Sequence, residues 1–200
     1  MPAGTTVFEQ LLALDASLFL RINALPHPNW LMTVMTAMSL VTRGAVLWLL
    51  LSIGLLISHR TDWSAVWRVL LALMVTSIVV SSLMKPAFDR TRPNATEAII
   101  PVVGTAPTTP SFPSGHAATS AAGAYALSRI WPGAALPLWS ATLLVASSRV
   151  YLGVHYPLDV IVGLFVGLAC AYFVTGGMVY RSVSATSSLV RGPSRKSENP

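Results

Sequence analysis

The sequence predicts an all-α fold: a polytopic membrane helix bundle of about five transmembrane helices plus an N-terminal amphipathic interfacial helix. Three observations predict it. Hydrophobic residues make up 54% of the 200 and charged residues 10%, more apolar surface than one soluble core of this size buries. The apolar residues gather in runs near the ~20 residues that span a bilayer. The polar residues cluster between those runs, and several runs end on a cation or a histidine.

In chain order, Phe8, Leu11, Leu12, Leu14, Leu18 and Leu20 recur at near-helical spacing beside Glu9, Asp15 and Arg21. Over 8–21 this pattern suits an amphipathic helix at the membrane interface, and equally a helix packed on the bundle. The first residues lack a basic n-region and an uninterrupted apolar run, so the N-terminus is expected in the mature protein. The first span is expected at 43–58; the apolar "NWLMTVMTAMSLVT" precedes it, but Arg43 and Gly44 interrupt that run. The second is expected at 63–84, the third at 115–131, the fourth at 134–153 and the fifth at 157–177. The third is rich in Ala and Gly, which suits an interior helix, and Gly163 and Gly167 give the fifth a small-xxx-small face. The Pro/Thr-rich 101–110 reads as a loop, and Cys170, alone of its kind, as packing. Residues 1–180 thus form one membrane-embedded domain, and the polar 181–200 a disordered tail with no catalytic role.

A cytoplasmic tail places Arg60, Arg68, Arg129, Arg181, Arg191, Arg195 and Lys196 inside, as the positive-inside rule prefers. Lys85, Arg90, Arg92 and Arg149 then fall on the far side, where a phosphate-binding site would account for them. The formal charge of +6 forms no basic stripe with interleaved aromatics, which excludes a nucleic-acid partner.

Alternation of spans brings the end of the second, the start of the third, the end of the fourth and the start of the fifth to one membrane face. Lys85, Arg92 and Arg149 are cations suited to a phosphate. "FPSGH" sets Ser114, Gly115 and His116 at a helix start, where free N–H groups and the helix dipole favour an anion. In "HYPLD", His155 and Asp159 stand four apart, so the carboxylate can hold one imidazole nitrogen and leave the other free to attack phosphorus. His116 can then protonate the departing oxygen. Each piece alone has a plainer reading: a snorkelling arginine, an N-cap, a structural His–Asp pair. Their coincidence on one face favours chemistry. His27 and His59 have no such companions and read as surface or interface residues.

"KPAFDRTRP" (85–93), "PSGH" (113–116) and "SRVYLGVHYPLD" (148–159) resemble the three signature motifs of the type 2 phosphatidic acid phosphatase superfamily, K-x6-RP, PSGH and SR-x5-H-x3-D. Every fixed position is filled. The resemblance implies removal of phosphate from a membrane lipid through a covalent phosphohistidine, with no metal and no cofactor. It implies His155 as nucleophile, Asp159 as its orienting partner and His116 as acid and then base. Lys85, Arg92, Ser114, Gly115 and Arg149 would form the phosphate-binding set, with Arg90, outside the fixed pattern, an accessory phosphate or headgroup contact. Many bacterial members have an additional N-terminal span; here the chain starts at the amphipathic helix.

The expected partners are the bilayer and a phospholipid or polyprenyl diphosphate substrate, with undecaprenyl diphosphate first. Phosphatidylglycerophosphate, phosphatidic acid, diacylglycerol pyrophosphate and lipid A phosphates are the alternatives. The expected location is the bacterial cytoplasmic membrane, with the site facing outward. Two other readings share features with this one: a vanadium-dependent haloperoxidase, which the apolar spans oppose, and a non-catalytic lipid-binding protein or transporter. A transporter site would lie near the midplane, not at one surface.

Overall fold

A computed structural model describes residues 6–96 and 108–176. Over that range every regular element is a helix. Helix α1 (Val7–Asn23) starts in a reciprocal capping box, in which Thr6 and Glu9 each bond the other's backbone N–H. Helix α2 (Asn29–Val41) and helix α3 (Val46–Ile57) follow, joined by a short turn. In that turn Gly44 and Ala45 both have positive φ, at 62° and 63°, and the chain bends by 54°. Gly44 takes this conformation at no steric cost; Ala45 is held there while its side chain is buried.

Helix α4 runs from Trp63 to Phe88 over 26 residues, and Val79–Met84 within it is a π-helical stretch. Such wide turns occur at functional sites; here Lys85 follows it directly. A single turn, α5 (Pro93–Thr96), comes next. Helices α6 (Gly115–Ile130), α7 (Ala135–Tyr151) and α8 (Pro157–Thr175) complete the bundle.

Helix α6 is the hub, packing along α8, α7 and α4. Its contact with α8 depends on the small residues of the fifth apolar run. A Cβ at Gly167 would lie 1.9 Å from the Ala118 carbonyl oxygen, and one at Gly163 would lie 2.6 Å from that of Ser114. The small face expected there is what lets the two backbones touch.

Large apolar residues point outward: Trp63, Trp67, Leu71 and Met74 on α4, Leu136 and Leu143 on α7, Phe165 and Phe173 on α8. A soluble bundle would bury this set; a bilayer solvates it. Among the described residues, α4 and α8 are long and apolar enough to cross a membrane, and α2 with α3 makes a third crossing if the bent pair is one span. Helices α6 and α7, at 16 and 17 residues, fall short of that measure, so it yields up to three crossings against the five expected. The reason is visible in α6, whose Ala117, Ala118, Ala121, Ala122 and Ala124 are fully buried in protein. Facing neighbours and not lipid, it has no need of large hydrophobic side chains.

The expected interfacial helix forms as α1, and both readings of it apply. Asp15, Phe19 and Asn23, four apart, are buried against the bundle, while Val7, Phe8, Leu11, Leu14 and Leu18 are exposed. The 181–200 tail and most of the 101–110 loop lie outside the described residues.

Candidate active site

Four helix ends meet at one end of the bundle: the C-terminal parts of α4 and α7 and the N-terminal parts of α6 and α8. Pro157 occupies the first turn of α8, where its missing N–H costs nothing. That start puts Asp159 one turn below His155, both buried.

Asp159 Oδ2 lies 3.4 Å from His155 Nδ1 and accepts the Tyr156 backbone N–H at 3.0 Å. On the other side of the ring, Nε2 lies 3.2 Å from Arg92 Nη1. A carboxylate can only accept and a guanidinium can only donate, so the two neighbours fix the neutral tautomer with the proton on Nδ1. The Nε2 lone pair then faces Arg92. Burial pushes the His155 pKa down to about 4, with Arg92 and Arg149 adding to the effect and the Asp159 hydrogen bond opposing it. The ring is therefore neutral at pH 7.

Arg92 is buried in the loop beyond α4. Its Nη1 also donates to the Val154 carbonyl at 2.9 Å, and its Nε to the Thr109 carbonyl at 2.6 Å. Burial lowers its pKa, against the pull of Asp159. Lys85 Nζ donates to the Pro110 carbonyl at 2.7 Å and lies within electrostatic reach of both Arg92 and Arg149. Three cations converging in a mostly dry site repel one another, an arrangement that an anion would relieve.

Among the buried side-chain donors without a hydrogen-bond partner in the described residues, Arg149 Nε and Ser114 Oγ belong to this site. Ser114 is the N-cap of α6 but makes no side-chain cap bond; its N–H instead donates to the Asp159 carbonyl at 2.9 Å. Buried polar groups are ordinarily paired, so orphans beside three cations and a helix N-terminus are donors suited to phosphate oxygens. Gly115 opens α6 next to Ser114, and His116 follows, close enough to Arg149 and Arg92 to feel their charges. A cavity of about 200 Å³ adjoins His116, lined also by Thr42, Ser77, Ser81 and Thr119.

The structure thus brings together Lys85, Arg92, Ser114, Gly115, His116, Arg149, His155 and Asp159. Arg90 joins them through Asp159. Its guanidinium bonds Asp159 Oδ1 at 2.7 Å and Asp15 Oδ2 at 2.6 Å, and it stacks 4.0 Å from the Tyr156 ring centroid. Asp15 was legible only as one acidic residue on an amphipathic helix. Ser39 had no signal at all, yet its hydroxyl pairs with Arg149 Nη1. His27, read as a surface or interface residue, stacks on Tyr151 with ring centroids 4.3 Å apart.

Residues 65–182 match the family model described as the PAP2 superfamily. The chain belongs to this family. Similar PAP2 relatives include a lipid A 4'-phosphatase of Porphyromonas gingivalis, 30% identical over 178 residues, covering 83% of this chain and 73% of the relative. An undecaprenyl-diphosphatase of Sulfolobus acidocaldarius is 35% identical over 130 residues, 60% of this chain and 58% of the relative. Among solved structures, a transmembrane PAP2 phosphatidylglycerolphosphate phosphatase from Bacillus subtilis superposes with a TM-score of 0.67 at 27% identity, covering 84% of this chain and 85% of that one. The chain is accordingly a PAP2 membrane lipid phosphatase, a hydrolase of phosphoric esters.

Proposed function

We propose that this PAP2 phosphatase hydrolyses a lipid phosphomonoester or diphosphate through a phosphohistidine on His155, with undecaprenyl diphosphate the favoured substrate. The observation that carries the mechanism is the placing of His155 between Asp159 at Nδ1 and Arg92 at Nε2, which favours the tautomer with its proton on Nδ1.

In the first step Nε2 attacks phosphorus as the bond from phosphorus to the leaving oxygen breaks. The electron pair stays on that oxygen, which takes a proton from His116. Lys85, Arg92, Arg149, Ser114 and the N–H groups opening α6 bind the three remaining oxygens and stabilise their charge. Asp159 balances the positive charge that the ring acquires. In the second step water gives a proton to His116 and attacks phosphorus. The N–P bond breaks, its electron pair returns to Nε2, and phosphate leaves. The cavity beside His116 offers room for the leaving group and the incoming water.

The choice of undecaprenyl diphosphate is supported by the names of two relatives and weakened by the lipid A 4'-phosphatase among the others. Phosphatidylglycerophosphate and phosphatidic acid are the alternatives. We place the site at the outer face of a bacterial cytoplasmic membrane, with the C-terminus inside, from the lysine and arginine counts. A reporter fused after Pro200 should signal the cytoplasm, and an external signal would invert the topology.

The deciding experiment is phosphate release by detergent-purified protein, with chelator present, from undecaprenyl diphosphate, phosphatidylglycerophosphate and phosphatidic acid. Turnover fastest on undecaprenyl diphosphate is the expected result. A faster rate on either alternative would reassign the substrate, and silence from folded protein on all three would remove the proposal.

A further inference from the structure

Asp15 lies on α1, some 140 residues from the His155 motif in sequence, and is 5% exposed. A carboxylate buried this far on a helix whose other face is greasy requires partners. It has two. Oδ1 accepts the Leu158 backbone N–H at 2.8 Å, one of the N–H groups that the first turn of α8 leaves without a helical acceptor. Oδ2 pairs with Arg90 Nη2 at 2.6 Å. Arg90 in turn bonds Asp159 Oδ1 at 2.7 Å, and Asp159 Oδ2 faces His155 Nδ1. A continuous chain of charge-assisted contacts therefore joins Asp15, Arg90, Asp159 and His155.

Its charge count matters. Asp15 and Asp159 share one guanidinium, so the three groups together carry one net negative charge. That charge balances the side of His155 opposite Arg92 and Arg149. Were Arg90 to have Asp159 as its only anion, it would neutralise the carboxylate one to one. Less charge would then oppose the positive ring of a phosphohistidine.

We infer that Asp15 is a positioning residue for phosphoryl transfer: it holds Arg90 and the start of α8 so that Asp159 stays both oriented and negative toward His155. This rests on the reading of His155 as nucleophile. By this inference α1 is part of the catalytic apparatus and more than a membrane anchor.

Asp15→Asn tests it, because the amide keeps the size and an acceptor for Leu158 N–H but removes the charge. The wild-type enzyme is assayed in parallel with the lipid phosphate panel: absence of turnover there would defeat the proposed function and not this inference. With an active wild type, Asp15→Asn should lower kcat by about tenfold or more and leave KM within about twofold, the mark of an interaction made in the transition state. The double variant Asp15→Asn/Arg90→Gln restores the single net negative charge and should recover several-fold of the lost kcat. A merely structural pin would not be rescued by a second substitution. Unchanged kcat in Asp15→Asn, or a double variant no more active than the single, would overturn the inference. Thermal unfolding of each variant is measured alongside. If the single variant does not fold, the double decides: folded and more active than Asp159→Asn supports the inference, while inactive or unfolded protein overturns it.

Discussion

The two histidines sit in differently finished surroundings. Around His155 the polar groups are closed off: Asp159 has His155, Tyr156 N–H and Arg90, and Arg90 has Asp15 and the Tyr156 ring. Around His116 the site is open: a cavity adjoins the ring, and Ser114 Oγ and Arg149 Nε nearby have no partner among the described residues. A nucleophile must arrive at phosphorus along one line, so its side gains from rigidity fixed before substrate binds. A general acid must meet a lipid oxygen and then a water, so its side needs room. The difference teaches that a polar group's missing partner is as informative as a satisfied one.

The severest way to break the comparison is to remove the proposed nucleophile. His155→Ala should lower kcat by about 10⁴-fold or more, read as phosphate release, with loss of base-stable phosphoenzyme. His116→Gln should cost about 10²- to 10⁴-fold on a lipid phosphate. It should cost much less on p-nitrophenyl phosphate, whose leaving oxygen needs no proton; equal losses on the two substrates would remove His116 as the acid. Arg149→Lys keeps the charge but loses the planar fork and the Ser39 contact. A loss of about tenfold in kcat/KM is expected, and a wild-type value would argue against direct contact with phosphate.

The smallest effect concerns pH. Protonation of Nε2 would remove the attacking lone pair, and burial puts that event near pH 4 instead of in the ordinary histidine range. Lowering the pH from 7 to 5.5 should therefore leave the single-turnover rate of phosphoenzyme formation within about twofold. A drop through pH 6.5 would show a nucleophile more hydrated than the structure has it.

The legible part of the site was the part written at the ends of apolar runs. Lys85, His116, Arg149 and His155 each end or begin such a run, so counting crossings alone put them on one face. Gly163 and Gly167 were legible for a related reason, since their spacing fits only a close helix contact. Asp15 and Ser39 were not, because their roles come from docking between α1 or α2 and helices more than 100 residues away. The pairing of Arg90 was hidden for the same cause: its neighbours in sequence are cations, but its neighbours in space are two carboxylates. The turn after α2 was half legible, because Gly44 marks a break while nothing marks an alanine in the left-handed region.

The outward apolar belt of α4, α7 and α8 has a kinetic consequence. An enzyme dissolved in lipid meets its substrate by diffusion within a sheet, where encounter depends on molecules per unit area and not per unit volume. Adding detergent at fixed substrate would spread the same lipid over more surface and slow the reaction, although the bulk concentration had not changed. Rates for this protein would then compare cleanly only at equal mole fraction of substrate in the micelle or bilayer.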